Sequence, residues 1–199
     1  MRVRFWSQTH EQRRRARSAV FTVATLVTAS LGAHAQVVTC GAEIRSASVR
    51  DLCLTVAPTL QDGARAQLAF CPFGGGPASN GGITLWEIHL AREGGLWISP
   101  VTRTDRRLEV EGWSGDNGAA VQLWGANVPH WDLNQTWTLF PDQFGRSVLI
   151  NQESTKCLDS PGGVRNGAAL QQFDCHGADN QRWWINPVVG SCGNLLIRR

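Results

Sequence analysis

Between Cys157 and Trp184 the chain reads CLDSPGGVRNGAALQQFDCHGADNQRWW, placing a carboxylate at Asp159, amides at Gln171, Asn180 and Gln181, and a phenyl ring at Phe173. An ionised carboxylate only accepts hydrogen bonds, a side-chain amide donates and accepts, and a flat aromatic ring covers apolar C–H groups. Together these groups suit a neutral ring rich in hydroxyls, with adjacent hydroxyls donating to the acid and one apolar face lying on the aromatic wall. The plainer alternative is that Asp159 and Asn180 satisfy backbone groups in turns, as these residue types commonly do. Glycines at 162, 163 and 167 leave little room for a helix, so short strands must position the chemistry.

The segment is one of three copies. The first runs LCLTVAPTLQDGARAQLAFC and, after a glycine-rich insertion, ITLWEI; the second runs RLEVEGWSGDNGAAVQLWGANVPHWDLNQTWTL. Cys53 to Cys71 and Cys157 to Cys175 share a spacing of 18, Gly63, Gly118 and Gly167 hold one turn position, and Gln67, Gln122 and Gln171 each follow four residues later. Trp86, Trp137 and Trp183 recur at intervals of 51 and 46 and are expected in the core. In AAVQLW, alternation turns Val121 and Leu123 inward and Gln122 and Trp124 outward; the same phase puts Leu170 and Gln172 on one side and Gln171 and Phe173 on the other. Three such units, each too small to bury its own apolar face, should close around a common axis into an all-β barrel.

The first 35 residues read as a cleavable export signal: six arginines, an apolar run over 18–31 too short to span a bilayer, and a small-x-small site at Ala33-His34-Ala35. A membrane anchor or a basic tail is the alternative. Without this leader, 13 basic side chains face 15 acidic ones, so the basicity of the whole chain belongs to the leader. No basic face remains to argue for nucleic acid, and nothing after residue 35 resembles a membrane span. All six cysteines lie beyond the leader, which in an exported chain favours disulfides over metal ligation.

The tripeptides Gln135-Thr136-Trp137 and Gln181-Arg182-Trp183, each preceded by Asn, with Cys157-Leu158-Asp159 upstream, resemble the ricin B-chain type (Q-x-W) lectin family. The likeness extends over about residues 42–190. It implies a β-trefoil over residues 36–199, with repeats at about 42–90, 95–140 and 145–188, and a carbohydrate ligand of galactose type or related. It also implies that, in the third repeat, Asp159 accepts from two adjacent hydroxyls, Phe173 forms the wall, Asn180 bonds a hydroxyl, and Gln171 and Gln181 line or brace the pocket. In the second repeat the corresponding residues are Glu109, Gln122, Trp124, Asn134 and Gln135. Glu109 stands where the pattern has Asp, so this repeat is either a second site or a structural relic, and the loop NVPHWD could bring His130 or Trp131 beside it. The first repeat departs furthest, with Thr55 for the acid, Ala69 for the aromatic and Thr84-Leu85-Trp86 for Q-x-W. The trefoil reading pairs Cys53 with Cys71, Cys157 with Cys175 and Cys40 with Cys192, one connectivity of the fifteen that six cysteines allow.

Neither a nucleophile with a base, paired carboxylates nor metal-ligand spacing stands out, and His89, His130 and His176 are far apart in sequence. No catalytic residue, cofactor or metal is expected. The partners implied are glycans or glycoconjugates. Two readings stand beside a lone lectin: a targeting subunit similar to the cytolethal distending toxin lectins, working with other toxin subunits, and an interaction scaffold that has lost sugar. Asn134-Gln135-Thr136 also matches a glycosylation sequon, which would put a glycan on the second repeat's own site.

Overall fold

The computed structural model describes residues 39–72, 77–91, 94–127 and 133–188. Among them are twelve strands: β1 Thr39–Ser46, β2 Leu52–Thr55, β3 Gln67–Phe70, β4 Leu85–Leu90, β5 Leu96–Pro100, β6 Arg106–Val110, β7 Val121–Gly125, β8 Trp137–Pro141, β9 Ser147–Asn151, β10 Cys157–Asp159, β11 Gln171–Phe173 and β12 Trp183–Pro187. The pairings β1–β4, β4–β5, β5–β8, β8–β9, β9–β12 and β12–β1 close a six-stranded antiparallel barrel. The other six strands form three hairpins, β2–β3, β6–β7 and β10–β11. The chain is a β-trefoil, four strands to a lobe.

Closure hides the unpaired barrel edges, and the hairpins are stitched to one another across the axis. The same turn glycine makes the stitch in each lobe. Gly63 donates to the carbonyl of Leu123, Gly118 to that of Gln172, and Gly167 to that of Leu68, at 2.8 to 2.9 Å. All three have φ between +80° and +87°, a left-handed conformation that glycine takes without steric cost.

Trp86, Trp137 and Trp183 are fully buried, as expected. Their indole N–H groups donate to Leu54 O, Leu108 O and Leu158 O at 3.1, 3.0 and 3.2 Å, so each ring fills the core and satisfies a carbonyl of its own hairpin. Val121, Leu123 and Leu170 are buried with them. Two glutamines are buried, one against the inside–outside alternation and one in phase with it. Gln122 lies on the outward side but is only 4% exposed, because its amide is drawn onto Glu109. Gln172 sits fully buried where the other lobes have Leu68 and Leu123, donating to Ser114 O and Asp116 O at 2.7 and 3.0 Å. It thereby ties the third hairpin to the loop of the second.

Disulfides join Cys53 to Cys71 and Cys157 to Cys175, each stapling one hairpin. The expected pair Cys40–Cys192 lies outside the residues whose side chains are described, as do the leader, His130 and Trp131. No described helix is long and apolar enough to cross a membrane.

Candidate functional site

In the third lobe the hairpin pairs Asp159 with Gln171 and Cys157 with Phe173, and the single 3-10 turn Asp179–Gln181 folds back over them. Asp159 Oδ1 accepts from Gln171 Nε2 at 2.9 Å, while Oδ2 accepts from Asn180 Nδ2 at 2.8 Å and Gln181 Nε2 at 3.0 Å. The acid is therefore not a surface group: it is 2% exposed. A carboxylate offers about four acceptor sites, so in this arrangement roughly one remains for a ligand hydroxyl rather than the adjacent pair expected. The three amides fix its position.

Asp159, Gln171, Phe173 and Asn180 meet around one hollow of about 200 Å³, open to solvent and lined also by Pro161 and Gly162. Phe173 is 36% exposed and stands beside the hollow as an uncovered ring. Gln181 does not line it. Fully buried, it donates also to Asp174 O and accepts from the backbone N–H of His176, both at 2.9 Å, and so braces the acid from below.

His176 joins the hollow, which the sequence reading missed. The N–H of Ala178 donates to its Nδ1 at 3.3 Å, which leaves the proton of a neutral ring on Nε2, 3.5 Å from Asp159 Oδ2. Its ring meets Phe173 edge-on, with centroids 6.2 Å apart. The signal was present: residue 176 follows Cys175, and the Cys157–Cys175 staple brings that end of the hairpin back to β10.

The second lobe repeats this network with one methylene more. Glu109, 4% exposed, accepts from Gln122 Nε2 at 3.1 Å, Gln135 Nε2 at 2.9 Å and Asn134 Nδ2 at 3.4 Å. Gln135 also spans Gly125 O and the Asn127 N–H, as Gln181 spans Asp174 O and the His176 N–H, so Asn127 takes the place of His176. Burial pushes the Glu109 pKa up, and the three amides oppose that rise without cancelling it. Glu109, Gln122 and Trp124 line a hollow of about 450 Å³, whereas Asn134 and Gln135 are buried behind it. With its amide nitrogen committed to Glu109 and Val110 O, Asn134 has no room to carry a glycan in the folded chain.

In the first lobe Thr55 stands at the position of the acid and Ile83 at that of Asn134 and Asn180. Val56 and Ile83 pair by backbone hydrogen bonds at 3.0 and 3.4 Å. Gly82 packs so tightly on the Thr55 hydroxyl and Val56 O that an added Cβ would collide with both.

Residues 133–195 match the family model described as ricin-type beta-trefoil lectin domain-like. That stretch is ricin-type lectin-like. The resemblance of the sequence to these lectins therefore holds, and the matched stretch contains the whole third-lobe network. A search of curated proteins finds no significant match. Among solved structures the chain is similar to ThreeFoil, a designed threefold-symmetric protein, at 23% identity and a TM-score of 0.63, covering 74% of this chain and 98% of that one. It is similar to the agglutinin of Rhizoctonia solani at 12% identity and a TM-score of 0.60, covering 74% and 94%. The cytolethal distending toxin of Haemophilus ducreyi is matched at 17% identity and a TM-score of 0.57, over 75% of this chain and 84% of that one. At these identities the likeness concerns the fold. Among the described residues no group of three or more His, Cys, Asp or Glu could hold a metal ion.

Proposed function

We propose that this protein is a secreted, non-catalytic carbohydrate-binding protein that takes a galactose-type or related sugar ring mainly in the third lobe. The observation that carries the reading is the common hollow of Asp159, Asn180, Gln171 and Phe173, with the carboxylate held in place by three amides. One apolar face of the sugar lies on Phe173, a ring hydroxyl donates to Asp159, and Asn180 bonds a neighbouring hydroxyl. His176 Nε2–H lies on the same rim and donates to a ligand oxygen or to the acid. Phe173 offers less area than an indole and no polar edge. A single lobe should therefore bind in the millimolar to high-micromolar range, about −4 to −6 kcal/mol.

A glycan array on folded residues 36–199, followed by calorimetry on the responding sugar, tests the proposal. Loss of single-ring binding in Phe173→Ala supports it; a folded protein that binds no sugar leaves only a scaffold role. Export is tested by sequencing the amino terminus of secreted material, which should begin near Gln36.

The likeness to the Haemophilus ducreyi toxin favours a second reading, a targeting subunit in a larger assembly. Exposed Phe140 and Phe144 offer apolar surface for such a partner. Co-expression with an exported, nuclease-like product of a neighbouring gene should give a stable complex under this reading and none for a lone lectin.

A further inference from the structure

The loop after each acid turns through the same left-handed step. Gly112 and Gly162 both have φ of +64°, and the next residue, four after the acid, is also left-handed: Gly163 at +99° in the third lobe and Trp113 at +57° in the second. Glycine accepts that geometry freely, whereas a bulky side chain pays a steric penalty there. Burial does not repay it, since Trp113 is 43% exposed.

Both neighbouring lobes hold the strained turn in place. Arg65 from the first lobe makes a two-pronged ion pair with Glu111 at 2.8 and 2.9 Å, just before the turn. Gln172 from the third lobe grips Ser114 O, just after it, at 2.7 Å. Strain persists where surrounding contacts over-determine it, and an observed outlier of this kind is a pointer to function.

What the turn presents is a second aromatic wall. Trp113 and Trp124, both 43% exposed, line the hollow of about 450 Å³ that contains Glu109, against a single phenyl ring in the hollow of about 200 Å³ in the third lobe. Pockets that bury most of a drug-sized ligand span about 300–1,000 Å³, a range that includes the second-lobe hollow and not the third.

We infer that the second lobe binds an oligosaccharide of at least two consecutive rings, one resting on Trp124 above Glu109 and the next on Trp113, while the third lobe takes a single terminal ring. This rests on the carbohydrate reading above. Trp113 is thus the residue that sets ligand length, and Glu109 the acceptor for the ring on Trp124.

The test is a glycan array of linear galactose, N-acetylgalactosamine, glucose, mannose and xylose oligomers, one to four rings long, read with the wild type, Trp113→Gly and Phe173→Ala. The expected result is that some series binds at least tenfold more tightly at two or more rings than at one. Trp113→Gly should remove that gain, leave single-ring binding within about twofold, and not lower the thermal midpoint, because it places glycine at a left-handed position. Phe173→Ala should keep the gain and lose the single-ring signal. Single-ring binding with no gain at longer lengths, or a gain that survives Trp113→Gly, overturns the inference and leaves the third-lobe site standing. Silence from every oligomer in a folded protein overturns both.

Discussion

At the scale of single residues, what decides the site is how two buried carboxylates are held. Asp159 and Glu109 each bind three amides, so removing either acid strands donors as well as deleting an acceptor. Asp159→Ala should therefore lower unfolding stability in urea by about 1–3 kcal/mol and also abolish third-lobe binding, whereas Phe173→Ala should abolish binding with little loss of stability. Equal stability in the two variants would show that the network contributes nothing. Glu109 also predicts a dependence on pH. Because burial raises its folded pKa, its contribution to stability is full below the unfolded value and is lost as pH rises through the folded one. Binding at the second lobe runs the other way, since it needs the ionised acceptor: calorimetry should show affinity falling as pH drops through that raised pKa, sooner than for an ordinary glutamate. The identities of these residues were legible from spacing, because the acid, the Gln-x-aromatic and the Asn-Gln recur at matching offsets. Their burial was not. Asp159 reads as a surface acceptor until Gln171, Asn180 and Gln181, 12 to 22 residues away, are seen to close over it.

At the scale of elements, hairpin and staple act together. The Cys157–Cys175 bridge has a sequence separation of 18 and carries Phe173 on the last strand of its loop, with His176 directly after Cys175. Replacing both cysteines with Ser should cost about 3 kcal/mol by freeing the unfolded chain, and should weaken sugar binding at the third lobe more than at the second, which has no cystine. Nuclear magnetic resonance titration reporting the two lobes separately checks this, and equal weakening would contradict it. The hairpins were readable in the sequence because equal cysteine spacing and a shared turn glycine mark their ends. The inward side of Gln172 was readable but its role was not, because its partners Ser114 O and Asp116 O are backbone atoms 58 and 56 residues away, and a polar residue in a leucine's place carries no local sign of them. The left-handed Trp113 was equally hidden, since EGWSGDN fixes a turn without fixing which residue must adopt positive φ.

At the scale of the whole molecule, the barrel exists only when β12 returns to β1 and β9. Ending the chain before Trp183 removes one core indole and one barrel strand together, so such a truncation should show no cooperative thermal transition; a sharp transition would mean the remaining strands close by themselves. Threefold closure was the most legible feature of the sequence, because repetition reports architecture directly. It was least informative about how the lobes differ, because the packing of Gly82 on Thr55 and the pairing of Val56 with Ile83 are contacts no repeat pattern displays. Two weak sites on one rigid body should hold a multivalent surface far more tightly than either holds a free sugar. The most direct test of the account is a titration of folded residues 36–199 with the array-selected sugar, following the side-chain signals of Phe173 and Asn180. The account predicts that both shift saturably, with a dissociation constant in the millimolar to high-micromolar range of about −4 to −6 kcal/mol, and that Phe173→Ala silences the Asn180 response. Sugar binding that leaves both signals unmoved would contradict it.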